Sequence, residues 1–303
     1  MNRHEFLDVA SITLSGVFLR RPFFARSLES VPIDQAVAES HYEPFAFEDA
    51  GVRRVDVETP AGPLETSYLA WRWLGDDRPT LLFVHGSGED PFDFGRFSSN
   101  SFRRLFATDD WTVPVNLLAI RAPFHGDSTR AYTDAVGALE TFVSLLAASA
   151  TLLEGLRERL LERGCPAVVV SGLSLGGWVV NLHRAYYGTC DHYLPMLAGA
   201  ATGELFVSSV YRKLVAESAL AHPDRIREAL DFDDAFAAVD ADDCSPLLAR
   251  YDRLVEFDEQ RGGYEGLSLS VLEKGHVTGA LATDRLRAHV ARATRDAVTG
   301  SSR

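Results

Sequence analysis

Lysine is almost missing from this 303-residue chain: only Lys213 and Lys274 occur. Arginine carries nearly all the positive charge, the formal net charge is −13 and the pI is near 5.1. A surface so short of cations has no basic footprint for nucleic acid and does not adsorb to anionic lipid through charge alone. Excess carboxylate keeps a protein soluble in a salt-rich cytosol, and GC-biased coding explains the shortage of lysine equally well. Cysteine is scarce too. Cys165, Cys190 and Cys244 are far apart, odd in number and form no C-x-x-C. They argue against a disulfide framework or a zinc site and read as free thiols in a reducing, cytoplasmic compartment. The chain has no G-x-x-x-x-G-K and no H-E-x-x-H, and "GLSLGG" does not have the dinucleotide G-x-G-x-x-G spacing, so no cofactor or metal is expected. Internal repeats and low-complexity linkers are missing as well.

The N-terminus holds one apolar run, "VASITLSGVFL" (9–19). It is shorter than the roughly 20 residues a membrane span needs. "MNRHEFLD" before it is not a basic leader, and "RRPFFARS" after it is not a small-residue cleavage site. The run is expected to be a helix packed on the domain, within an N-terminal helical extension, 1–50. An interfacial helix is the weaker alternative: it would set Arg20, Arg21 and Arg26 near headgroups and Phe18, Phe23 and Phe24 in the acyl boundary.

Hydrophobic residues make up 46% of the chain, enough for a large core, and the length suits one α/β domain. Short apolar runs at 66–73, 79–88, 113–123, 167–172, 192–200, 245–252 and 267–273 read as strands. Helical spacing marks 134–163, 178–188 and 278–298. This alternation is the signature of a mostly parallel sheet. The domain is expected over 51–298, with helices and an acidic loop at 203–243 as a possible small cap, and a disordered tail at 299–303.

"GLSLGG" (172–177) sits between the apolar run "AVVVS" and a helical stretch. Strand, G-x-S-x-G, helix is the context of a nucleophile elbow. Glycines at 172 and 176 leave room for a strained serine, because a Cβ there would clash with neighbouring backbone. The following helix N-terminus directs free N–H groups at the same place. Ser174 is therefore the candidate nucleophile, with a capping serine as the plainer alternative.

A serine hydroxyl needs a base. His276, in "EKGHVTG", follows the last strand and is the first candidate; His125, in "PFHGDS", is the rival, and His85, in "HGSG", reads as structural. The base needs an orienting carboxylate. Asp252 directly follows "SPLLARY", with Asp242, Asp243 and Asp258 as rivals. Backbone N–H groups of Leu175 and of Ser87, Gly86 or Gly88 are candidate oxyanion donors. Phe92, Phe94, Phe97, Phe102, Phe106 and Phe206 suit an apolar pocket or ordinary core packing equally.

"HGSG", "APFHGDS", "GLSLGG", "YDRLV" and "KGHV", in this order over roughly 52–298, resemble the α/β-hydrolase superfamily. More narrowly, "LRRPFF", "RAPFHG", "SGLSLGGWVVNL", "LLARYDRLV" and "EKGHVTGAL" resemble relatives of the mammalian α/β-hydrolase-domain protein number eighteen. The broad resemblance implies a mostly parallel eight-stranded sheet with helices on both faces and a Ser174–Asp252–His276 triad; the narrow one implies acyl-ester or lipid-like substrates. The expected function is a serine hydrolase of esters or thioesters working through an acyl-enzyme. A catalytically silent binding protein and a cofactor-free lyase or peroxidase on the same scaffold are the alternatives.

Overall fold

The computed structural model describes residues 2–18, 22–96, 98–126 and 129–300. The chain's most apolar runs form its central strands. β4 (Thr80–Val84), β5 (Asn116–Arg121) and β6 (Val168–Leu173) are buried nearly throughout. Strands buried on both faces read as continuous Val/Leu/Ile runs, as parallel strands between helical layers must. Alternate residues serve the two faces: Leu82 and Val84 join one hydrophobic cluster, Leu81 and Phe83 the other. Before them come β1 (His41–Tyr42), β2 (Gly51–Glu58) and β3 (Leu64–Arg72); after them β7 (His192–Met196), β8 (Leu247–Ala249) and β9 (Ser270–Leu272).

Among the described residues the sheet has nine strands, in the order β1-β2-β3-β5-β4-β6-β7-β8-β9. The β5–β4–β6–β7–β8–β9 block is parallel, and β1, β2 and β3 extend it antiparallel. The expectation of eight strands is corrected by one. The apolar-run pattern passes over β1 and β2 because β1 is two residues long and much of β2 faces solvent. Strands at 192–200, 245–252 and 267–273 are shorter than the apolar runs suggest, since each run continues into a loop.

Helices cover both faces. α1 (Arg3–Phe18) and α2 (Ile33–Glu39) precede the sheet, and α3 (Ser101–Phe106) follows β4. The single helix expected over 134–163 is two, α4 (Thr129–Ala135) and α5 (Leu139–Glu162), parted at Gly137. α5 is long and apolar enough to cross a membrane by length and composition, but 83% of its apolar 18-residue window is buried in the protein. It packs on α6 (Leu175–Tyr186). The 203–243 region holds α7 (Thr202–Val207), α8 (Glu217–Leu220), α9 (Pro223–Leu230) and α10 (Asp233–Ala237); α11 (Phe257–Gln260), α12 (His276–Ala280) and α13 (Thr283–Gly300) complete the chain. α3 and α13 close the opposite face through Phe102, Leu105, Leu286 and Val290.

The closing helix expected over 278–298 is likewise divided, into α12 and α13. α13 takes in the first two residues of the expected tail, and 301–303 lie outside the described residues. Phe23 and Phe24, which an interfacial helix would bury in lipid, are 2% exposed and pack on Phe142 and Phe206. Arg20 and Arg21 lie outside the described residues, as does Phe97.

Strand order reverses at β4, whose neighbours β5 and β6 lie on its two sides. Such a switch point opens a crevice at the carboxyl ends of the strands. β4 ends there at His85–Gly88 and β6 at Ser174.

Candidate active site

Ser174 sits directly between β6 and α6 with φ 55° and ψ −112°, in the left-handed region that costs a non-glycine residue about 1–3 kcal/mol. Its neighbours make that turn feasible. A Cβ on Gly172 would lie 2.2 Å from Gly176 O, and one on Gly176 would lie 2.1 Å from Val84 O. Gly177 plays a third part, because a Cβ there would meet Ala198 Cβ at 2.6 Å and hold α6 off the sheet. Ser174 N donates to Met196 O at 2.8 Å and Gly176 N to His85 O at 3.0 Å, pinning the turn to β7 and to the end of β4.

The structure brings Ser174, His276 and Asp252 into one line. His276 Nδ1–H donates to Asp252 Oδ2 at 2.7 Å, so Nε2 is left as an acceptor; it lies 3.0 Å from Ser174 Oγ. Asp252 is held in turn: its Oδ1 accepts the N–H groups of Leu254 and Val255, each at 2.8 Å. Burial pushes the Asp252 carboxyl up and pulls the imidazole down, while their mutual attraction and hydrogen bond oppose both effects. For His276 burial is the largest single influence, but the attraction and hydrogen bond of Asp252, with the charge of Asp8, together outweigh it, and its pKa is raised above 6.5. Ser174 is half-buried at the floor of a cavity, and the other two are buried behind it.

The rivals stand elsewhere. His85 is fully buried: Nδ1–H donates to Gly86 O at 2.7 Å and Nε2 accepts from Ala122 N at 3.2 Å, a tie between the β4 and β5 ends. His125 packs against His85 and Tyr132, donates Nδ1–H to Pro123 O, and is held neutral by burial with its pKa lowered to about 4. Asp243 accepts from Arg184 Nε at 2.7 Å, Asp242 is exposed, and Asp258 pairs with Arg261 at 3.2 Å.

Leu175 is the first residue of α6, and Ser87 lines the same cavity. The first N–H groups of a helix have no intrahelical acceptor, so Leu175 N–H is available at the Ser174 hydroxyl. Gly88 has φ 75°, which turns the chain after β4 across the site. Ser87 Oγ is tied to Tyr132 Oη at 2.7 Å.

Two spaces meet at Ser174. One is a narrow apolar chamber with about 30 Å³ of free volume, walled by Phe23, Phe142, Trp178, Leu205, Phe206 and Tyr211. The other is an open cleft of about 530 Å³ that reaches Glu89, Arg104, Leu281 and, on α1, Ser11 and Ile12. Of the described phenylalanines suited to a pocket, only Phe206 lines the chamber. Phe102 and Phe106 belong to the core on the other face, with Phe92 and Phe94 packed against it.

Sequence patterns missed one residue. Asp8 on α1 is fully buried against the His276 loop, accepting from His276 N at 2.8 Å, Val277 N at 2.9 Å and Arg253 N at 3.1 Å. A lone aspartate more than two hundred residues away carries no local signal.

Comparisons with known proteins bear on the fold and the family. The protein fold shared with an esterase of Pyrococcus furiosus covers 84% of this chain and 98% of that one, with TM-score 0.54 and 15% identity. Acetyl xylan esterase 1 from Thermoanaerobacterium sp. aligns over 88% of this chain and 96% of its own, with TM-score 0.51 and 13% identity. An acylaminoacyl peptidase of Pyrococcus horikoshii aligns over 89% of this chain and 40% of its own, with TM-score 0.51 and 14% identity. At these identities the likeness is one of fold. Among curated proteins no sequence matches the chain. The profile of the alpha/beta hydrolase family does match, over residues 81–299, a span running from β4 through the serine turn to the last helix. Covering well over half of the chain and every strand that surrounds Ser174, that match shows that the chain belongs to the α/β hydrolase family.

Proposed function

We propose that the protein is a serine hydrolase that cleaves a carboxylic ester or thioester through an acyl-enzyme. The observation that carries this reading is the hydrogen-bonded line Ser174 Oγ–His276 Nε2–His276 Nδ1–Asp252 Oδ2, with steps of 3.0 and 2.7 Å. Ser174 Oγ attacks the carbonyl carbon as its proton passes to His276 Nε2. Asp252 fixes the tautomer and stabilises the imidazolium. The tetrahedral oxyanion is held by the N–H of Leu175 and an N–H of the Gly86–Ser87–Gly88 turn. Collapse expels the alcohol or thiol, which takes the proton back from His276. Water then repeats the cycle on the acyl-enzyme, releasing the acid and freeing Ser174.

The two spaces divide the substrate. The apolar chamber suits a short acyl group, and the open cleft takes a larger leaving group; the 203–243 segment, which supplies Leu205, Phe206 and Tyr211, serves as the cap over the acyl side. The narrower likeness to relatives of the mammalian α/β-hydrolase-domain protein number eighteen adds lipid-like esters to the substrates worth trying. Three buried free thiols fit a reducing cytoplasm.

A fluorophosphonate probe tests the reading: it should label wild-type protein at Ser174 and leave Ser174→Ala unlabelled. A series of p-nitrophenyl esters should favour short acyl chains. Unlabelled wild-type protein would point to the silent binding protein instead, and a rate rising steadily with acyl length would overturn the division of the two spaces.

A further inference from the structure

The loop carrying His276 has no cap of its own. α12 begins at His276, and its preceding residue, Gly275, offers no side chain to the first N–H groups of the helix. The acceptor comes instead from the other end of the chain. Asp8 Oδ2 takes His276 N–H and Arg253 N–H, and Oδ1 takes Val277 N–H. Gly275 is glycine for that reason, since a Cβ would stand 2.7 Å from Asp8 Oδ2. Arg253 directly follows Asp252, so one carboxylate joins the backbones of the two loops that carry the proposed acid and base.

We propose that Asp8 is a positioning residue of this active site: it clamps the His276 loop to the Asp252 loop and so keeps the imidazole on the line to Ser174. A serine or threonine cap at position 275 would satisfy one N–H and would join nothing. Asp8 satisfies three, from two loops, without exposure to solvent. α1 is seated by more than this contact. His4 Nδ1 lies 2.8 Å from Thr278 Oγ1, its ring stacks over Tyr251, and Ser11 and Ile12 wall the cleft. The N-terminal helix is thus part of the catalytic architecture.

The Asp8 charge also acts on the imidazole, adding to Asp252 in raising the His276 pKa. Titratable or charged groups near His276 also include Arg253 beside Asp252, Glu5 and His4 on α1, Lys274 on its own loop, Tyr132 and Tyr211 across the chamber, and Glu89 and Arg104 along the cleft.

The inference rests on the serine-hydrolase reading. Its test is the rate of fluorophosphonate labelling of full-length wild type, Asp8→Asn and Asp8→Ala as a function of pH, with thermal melting as the check on folding. Misplacing a reacting group by about 1 Å costs up to about 10²-fold. Asp8→Ala is therefore expected to label about 10–100-fold more slowly. Asp8→Asn, which keeps one oxygen acceptor, should lose less, and its acid limb should move to lower pH because the nearby negative charge is gone. A merely structural Asp8 would lower the melting temperature and leave the limb in place.

If Asp8→Ala does not fold, Asp8→Asn decides. Slower labelling or a displaced limb supports the clamp, and wild-type rate with wild-type limb overturns it. Wild-type protein that never labels fails the hydrolase reading itself, a result separate from a labelled wild type with an equally labelled variant.

Discussion

The serine turn and the histidine corner meet at one hydrogen bond, yet they are built in opposite ways. Six consecutive residues, Gly172–Gly177, make the turn, and its strain is held by backbone within 2.1–2.2 Å of where side chains would begin. The corner is gathered from residues 8, 252 and 276 on three separate elements, and hydrogen bonds of 2.7–3.1 Å hold it together. A feature made by steric exclusion leaves its glycines no room for a side chain. A feature made by hydrogen bonds from afar can be weakened by degrees. Perturbing the turn should therefore abolish function or cost much stability, and perturbing the corner should lower the rate.

The largest effect belongs to the turn. Ser174→Ala removes the proposed nucleophile and should lower ester turnover by about 10⁴–10⁶-fold while melting stays near wild type. Steady-state assays on the folded variant check this, and turnover within tenfold of wild type would remove the nucleophile assignment. At the corner, Asp252→Asn is expected to cost about 10²–10⁴-fold. The amide oxygen would stay on the Leu254 and Val255 N–H groups, turning the NH₂ toward His276 Nδ1. The imidazole must then carry its proton on Nε2, facing Ser174, where it cannot act as a base. Normal turnover in Asp252→Asn would dissolve the contrast, because the corner would then contribute nothing.

Gly176→Ala probes the turn through stability. Its Cβ would press on Val84 O, backbone in the centre of the sheet, and overpacking of this kind costs about 3 kcal/mol or more. Urea unfolding should show a lower midpoint with an unchanged slope; an unshifted midpoint would mean the turn relaxes freely.

The pH profile reports on the corner again. In the proposed mechanism His276 is the base and has to be neutral, and Asp252 together with Asp8 raises its pKa above 6.5. Activity should fall as pH drops through a value above 6.5, and a kcat/KM limb below that value would show that the buried carboxylates do not act on the ring.

The smallest effect lies away from both regions. Asp233, Asp234, Asp240 and Asp242 are exposed in one acidic stretch, and their mutual repulsion is screened by salt. Melting temperature should rise modestly from low to molar NaCl; a flat or falling curve would leave coding bias as the account of the missing lysines.

Much of the serine side was legible because its signals are local. Glycine at 172 and 176, a β-branched run before and a helical run after specify strand, turn and helix in one stretch. His276 was legible by its place after the last apolar run, and Asp252 by its place after the one before. The antiparallel β1–β2 extension was not, since two paired residues in β1 and a half-exposed β2 carry little apolar pattern. The pocket walls were not either. Phe92, Phe94, Phe102, Phe106 and Phe206 look alike in sequence, and only the face of the sheet on which each element packs separates core from chamber.

Ser174, the glycines that allow its conformation, and the buried parallel strands that lift it to the sheet's edge were determined by sequence alone, because sterics and burial periodicity act over a few neighbouring residues. Only the tertiary structure decided that Asp252 rather than Asp242, Asp243 or Asp258 faces His276, that Tyr132 meets Ser87, and that Asp8 closes the histidine loop. Those choices depend on which loop ends converge at the strand switch point. A hydrogen bond between residues 8 and 276 has no trace in either one's neighbourhood, since it exists only after the sheet between them has formed.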